Sequence, residues 1–224
     1  MVTVLYLIRH GETEGAEKRR YKGSIDVPLS ENGIRQMEQV SKYIVEENKY
    51  FSNPPSPTFL KGGKGGLLDA VYCSDLQRAI KSAELIAKPH SLNPIIVPSL
   101  RERNFGIWES MSFDEIREKH PLEFDAWAGN PLRFSPMGGE STVEVKERVI
   151  DALDKILNTH EKQQIAIVSH GGVIRIMLCH FLGIPLENIF RVEQDYGALN
   201  IIEFWDKYPV VKLMNRIMDG IDKN

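Results

Sequence analysis

Cysteine is nearly absent: the 224 residues contain two, Cys73 and Cys179, both in apolar segments that read as interior. Such a pair behaves as two small buried hydrophobes rather than a disulfide framework, which excludes a disulfide-stapled secreted domain and fits a reducing, cytoplasmic setting. Long apolar runs are missing too. The opening MVTVLYLIRHGE holds an apolar stretch too short for a secretory core or a membrane span, and charged residues end it at once, so no membrane partner is expected. Nor does one charge dominate. With 28 Lys and Arg against 31 Asp and Glu, a formal net charge of -3 and no basic block, nucleic acid is not an expected partner; any anion must be caught locally.

Chemical signatures are absent in the same informative way. No HxxxH, CxxC or HxH spacing occurs, so no metal and no cofactor is expected, and neither a GxSxG elbow nor a cysteine signature supplies a nucleophile. The KGGKGG of residues 61–66 lacks the GK[ST] ending of a P-loop and follows no strand. It belongs instead to a Pro/Gly-rich loop insertion at about 51–66 in what reads as one domain over residues 1–224.

What is present is an alternation of short β-branched runs with longer stretches of helical period, the signature of a layered α/β fold. Buried strands are expected at Val2 to Ile8, Ala70 to Cys73 and Ile165 to Val168, with a further short apolar segment at Ile95 to Val97 and a closing strand pair at Leu199 to Phe204 and Val210 to Leu213. Ser30 caps a helix running to about Val45; Ser74 with Gln77 forms a capping box opening a helix to about Ala87; Ser112 with Glu115 and Ser141 with Glu144 cap two more. An apolar helix follows from about Val173 to Leu182. Between Pro121 and Pro136 the composition reads as aromatic and irregular.

Three segments, LYLIRHG, VYCSDLQR and IAIVSHGG, each place a cation or an imidazole just past a buried strand. In parallel sheets with crossover helices that edge is where ligands gather. If the three strands are neighbours, Arg9, His10, Arg78 and His170 meet in one pocket, and Gly11, Gly171 and Gly172 let backbone N–H groups approach a ligand. Guanidinium forks suit a phosphoryl group, and a neutral imidazole can accept one covalently; His10 is the candidate nucleophile. His90, His120, His160 and His180 adjoin no strand-to-glycine turn and read as structural.

RHGET at Arg9 to Thr13, RYKG at Arg20 to Gly23, PLS at Pro28 to Ser30, SDLQRA at Ser74 to Ala79, LRERNFGIWE, GGES at Gly138 to Ser141 and SHGG at Ser169 to Gly172 together resemble the histidine phosphatase superfamily, in its phosphoglycerate mutase-like branch. The resemblance implies a three-layer α/β/α sandwich with a mostly parallel, mixed central sheet and metal-independent hydrolysis of a small-molecule phosphomonoester through phosphohistidine on His10. It also implies a phosphate pocket of Arg9, Arg78 and His170, and Glu102 as proton donor, with Asp75 or Glu109 as the other carboxylates that could serve. Arg20 resembles the family's substrate-contacting arginine, although Lys18 and Arg19 beside it allow a solvated charge run. The cluster Trp108, Phe113, Phe124, Trp127 and Phe134 reads as a small core at the pocket rim.

Three functions stand: a phosphatase, a cofactor-dependent phosphoglycerate mutase, and a phosphate-binding or signalling module. The compact stretch between Glu102 and His170 looks like the phosphatases. Ala16 and Ser110 depart from the asparagine and glycine common among relatives. Within phosphatases, LRERNFGIWESMSFDEI and WAGNPLRFSPMGGES look most like the α-ribazole phosphatase group of cobalamin biosynthesis, whose substrate is nucleoside-like. A homodimer through an apolar strand or helix edge is compatible with the sequence.

Overall fold

The computed structural model describes residues 2–18, 20–52 and 67–218. The six strands β1 (Thr3–Arg9), β2 (Ala70–Cys73), β3 (Ile95–Ile96), β4 (Gln164–Ser169), β5 (Leu199–Trp205) and β6 (Tyr208–Arg216) form one sheet in the order β3-β2-β4-β1-β5-β6. The pairs β3-β2, β2-β4 and β4-β1 are parallel, while β5 runs antiparallel to β1 and β6 antiparallel to β5. The sheet is therefore mixed and mostly parallel.

Period-two alternation of apolar residues sends each strand's side chains to two separate cores. Leu5, Leu7, Ile165 and Ile167 face a core shared with α5 (Thr142–Thr159) and α6 (Gly171–Leu182). Tyr6, Ile8, Ala166 and Val168 face the other, shared with α1 (Glu31–Ser52) and α2 (Gln77–Ala87). Helices on both faces complete the three layers. All eight of these strand residues are fully buried, which is why the central strands read as unbroken apolar runs. Among the described residues no helix is long and apolar enough to cross a membrane.

Several local expectations change. Helix α1 continues to Ser52 rather than ending near Val45, so positions 51 and 52 of the expected insertion are helical; the rest of that insertion, KGGKGG included, lies outside the described residues. The stretch from Pro121 to Pro136 is irregular only over residues 130–136: α3 (Phe113–Lys119) stops at His120, and α4 (Pro121–Gly129) starts with Pro121 in its first turn, where the missing N–H costs nothing. Strand β6 begins at Tyr208 and includes Pro209, tolerated because β6 is an edge strand. Both distal capping boxes form, Ser112 with Glu115 and Ser141 with Glu144. The one expected at Ser74 does not. Helix α2 has Leu76 at its N-cap with no side-chain cap, the Gln77 N–H is met by Asp26 Oδ1 at 2.8 Å, and the Ser74 hydroxyl is turned to His170.

Candidate active site

The strands carrying the three expected segments are adjacent, in the order β2-β4-β1. Arg9 pairs with Ser169 and Cys73 with Val168, so His10, His170 and Ser74 emerge side by side from the carboxyl edge. The His10 N–H extends the ladder by donating to the Ser169 carbonyl at 3.0 Å. The two imidazoles stand with ring centroids 5.1 Å apart, edge to face.

Hydrogen bonding sets the state of His10. Its Nδ1 lies 2.7 Å from the Gly11 carbonyl oxygen, an acceptor only, so Nδ1 carries the proton and Nε2 keeps its lone pair. Burial, followed by the nearby Arg9 and Arg78 charges, holds His10 well below the ordinary histidine range. The imidazole is therefore neutral and nucleophilic at neutral pH.

The cations around it are fixed by the backbone. Arg78, almost fully buried, donates from Nη1 to the Ile25 carbonyl and from Nη2 to the Gly23 carbonyl, each at 2.6 Å. Arg9 donates from Nη1 to the Gln194 carbonyl at 2.6 Å, its guanidinium carbon lies 3.8 Å from the Tyr196 ring centroid, and its Nε is buried with no partner. Lys22 donates to Thr13 Oγ1 at 2.6 Å and to the Glu14 carbonyl; burial, then Arg78, lowers its pKa. These groups face a cavity of about 300 Å³ lined, among the described residues, by six cationic side chains and one carboxylate, Glu102. Arg20 is paired with Glu115 and Arg175 with Glu193, while Arg9, Lys22, Arg78 and Arg103 form no ion pair among the described residues, a surplus of positive charge that suits a multiply charged anion. Among the described residues, no group of three or more His, Cys, Asp or Glu side chains is placed to hold a metal ion.

Glu102 hangs between two backbone donors, Oε1 accepting from Arg103 N–H at 2.9 Å and Oε2 from Gly172 N–H at 3.1 Å. A Cβ at position 172 would stand 2.6 Å from Oε1, so glycine is needed there for the carboxylate to dock. The two other carboxylates considered are engaged elsewhere and do not line the cavity. Asp75 takes a forked pair from Arg101 at 2.8 and 2.5 Å, which keeps it below the usual carboxylate range. Glu109 Oε1 accepts from the N–H groups of Ser24 and Phe105, at 2.7 and 3.3 Å.

Other expected residues fall in different places. Arg20 lines the cavity but is paired with Glu115 at 2.7 Å and donates to the Ser110 carbonyl. Gly171 lies against the Arg9 guanidinium, a Cβ there standing 3.3 Å from its central carbon. Gly11 is not a ligand-facing glycine. Its N–H donates to Ser82 Oγ at 3.2 Å and a Cβ would strike the Gly33 carbonyl oxygen at 2.3 Å, so close packing on α1 demands it. His170 is fully buried in the wall behind the cavity rather than lining it, with Nδ1 unpartnered. Ser110, where relatives commonly have glycine, adopts the left-handed conformation at φ 66° and holds the turn by donating its N–H to the Tyr21 carbonyl at 2.8 Å.

The aromatic cluster divides. Trp108 stacks on Phe134 with centroids 5.3 Å apart, while Phe113, Phe124 and Trp127 pack mutually at 5.1 to 6.0 Å. All but Phe134 line the cavity, giving it an apolar wall. Sequence reasoning missed Lys22, Arg175 and Tyr196 as lining residues. Lys22 sat inside a quoted motif; Tyr196 precedes a strand neighbouring β1, a placement legible only once strand order is known.

The sequence matches the histidine phosphatase superfamily (branch 1) over residues 5–51 and 63–217. It is 29% identical to phosphoserine phosphatase 1 of Hydrogenobacter thermophilus, across 94% of this chain and 91% of that protein. It is 27% identical to the adenosylcobalamin/α-ribazole phosphatase of Escherichia coli K12, across 97% and 98%. In three dimensions it resembles the crystal structure of the α-ribazole phosphatase from Shigella flexneri, with TM-score 0.79, 27% identity and 95% and 96% of the two chains covered. The chain belongs to the histidine phosphatase superfamily, branch 1.

Proposed function

We propose that this protein hydrolyses a small phosphomonoester in two displacements through phosphohistidine on His10. The observation that carries this is the neutral His10 ring, its Nδ1 tied to Gly11 and its Nε2 lone pair free, in a cavity with surplus cations. The phosphoryl group binds with its oxygens on Arg78, Lys22 and the unpartnered Arg9 Nε. The Nε2 lone pair of His10 attacks phosphorus in line; the bond from phosphorus to the ester oxygen breaks, and the Glu102 carboxyl gives its proton to that oxygen. Alcohol leaves. Glu102, now a carboxylate, takes a proton from water as the water oxygen attacks phosphorus, the P–N bond breaks, and inorganic phosphate leaves with neutral His10 restored. The fixed guanidinium groups supply the charge stabilisation for both steps.

The aromatic wall favours a leaving group that is flat and uncharged. A phosphoamino acid would bring an ammonium group, for which the lining offers a single carboxylate, Glu102, already committed to the ester oxygen. We therefore favour α-ribazole 5'-phosphate over phosphoserine as the substrate class. Two free, buried cysteines support a cytoplasmic place of action. Comparison of kcat/KM for α-ribazole 5'-phosphate, phosphoserine and 3-phosphoglycerate in EDTA tests the reading. The nucleoside-like ester is expected to lead. A higher value for phosphoserine would overturn the substrate class, and phosphoglycerate isomerisation in place of hydrolysis would overturn the reaction.

A further inference from the structure

We propose that Ser74 is a positioning residue for His170: its hydroxyl fixes the imidazole as the Nδ1–H tautomer, which sets an N–H dipole in the layer directly behind the phosphoryl site at His10. Ser74 Oγ lies 2.7 Å from His170 Nε2, and both residues are fully buried. The direction of that bond follows from the remaining partners. The Leu76 N–H points to the same oxygen at 3.4 Å, and no other partner of Ser74 lies among the described residues. If Nε2 also donated, the serine hydrogen would be sealed from water with no acceptor, an arrangement native interiors avoid. The hydroxyl therefore donates to Nε2, whose lone pair receives it.

A neutral ring with a bare Nε2 carries its hydrogen on Nδ1. Among the described residues that nitrogen is buried and has no partner, in a ring 5.1 Å from His10 and just ahead of α6, where a Cβ on Gly171 would stand 3.3 Å from the central carbon of the Arg9 guanidinium. Protonating both nitrogens would again leave the serine hydrogen with no acceptor, and burial, then His10, Arg78 and Arg9, oppose the cation. The opposite tautomer would put a lone pair in place of that N–H dipole behind the site and weaken its hold on an anion.

The inference rests on the phosphoryl-transfer reading for its consequence, not for its geometry. Histidine-selective ¹⁵N NMR of the unliganded protein should show His170 with a protonated Nδ1 and a bare Nε2. In Ser74→Ala the population should move toward the Nε2–H form, with kcat/KM for p-nitrophenyl phosphate and affinity for orthovanadate each falling about tenfold. Wild-type His170 in the Nε2–H form would overturn the proposal without recourse to any variant. So would a folded S74A protein with unchanged tautomer and unchanged vanadate affinity. A protein that shows the expected tautomer but turns over no phosphomonoester would instead refute the function proposed above.

Discussion

Gly172 offers the sharpest test of Glu102 as proton donor. Gly172→Ala adds one methyl group whose carbon would sit 2.6 Å from Glu102 Oε1, where ordinary contact begins near 3.4 Å. The carboxyl group must therefore retreat by about 0.8 Å, the difference between those distances. Folding is not the cost, since position 172 is in α6 and alanine is a better helix former than glycine by about 1 kcal/mol. A misplacement of about 1 Å can cost on the order of a hundredfold, so kcat/KM for an alkyl phosphate should fall by about 10- to 100-fold, or ~1.4 to 2.7 kcal/mol. The useful control is the leaving group. An alkoxide needs the proton as the P–O bond breaks, whereas p-nitrophenolate leaves without it, so the loss for p-nitrophenyl phosphate should stay below about threefold. Because kcat/KM covers only the steps up to phosphorylation of His10, slow hydrolysis of the intermediate does not blur the comparison. Equal losses on both esters, or none on either, would refute the role given to Glu102.

Arg78→Lys keeps the charge but loses the fork that reaches two carbonyls at once; kcat/KM should fall about 100-fold (~2.7 kcal/mol) with a parallel loss of orthovanadate affinity, and an activity within threefold of wild type would contradict the pocket. Trp127→Ala should reduce kcat/KM for α-ribazole 5'-phosphate about tenfold while sparing a small alkyl phosphate, and equal effects on both would remove the aromatic wall from substrate choice. His10 and His170 are both held well below their ordinary range, burial being the first cause for each. Their unfolded forms take up protons below about pH 6.5 while the folded forms do not, so the unfolded state binds more protons and stability falls as pH drops from about 6.5 toward the folded values. Two such protons give a slope of up to about 2.7 kcal/mol per pH unit. Urea unfolding at pH 7 and pH 5 should show it, and a His10→Gln variant should lose about half; an identical pH slope in that variant would contradict the buried neutral state.

Much of this was legible in the sequence because the signals were local or periodic. Strand β2 reads directly from AVYC, since all four residues are buried, and the boxes at Ser112 and Ser141 are set by residues three apart. The convergence of His10, His170 and Arg78 followed from their positions just past strands, given neighbouring strands. What escaped depends on tertiary placement. The Ser74 pattern predicts a cap, but α2 takes Leu76 as its N-cap and the serine hydroxyl is turned to an imidazole 96 positions away in the chain. Gly11 looked like a ligand-approach glycine because nothing local reveals that α1 packs on it. Pro121 reads as a stop and is also a start. Tyr196, Lys22 and Arg175 reach the cavity from separate loops and helices, and no spacing rule ties them to His10.

The central claim is a covalent bond between phosphorus and His10 Nε2. Quenching the enzyme in base within milliseconds of mixing with a ³²P-labelled phosphomonoester, followed by peptide mapping, measures it directly. One acid-labile, base-stable phosphoryl group is expected on the peptide containing His10, absent from His10→Asn, which should be inactive. Label on another residue, or full turnover by the H10N protein, would contradict it.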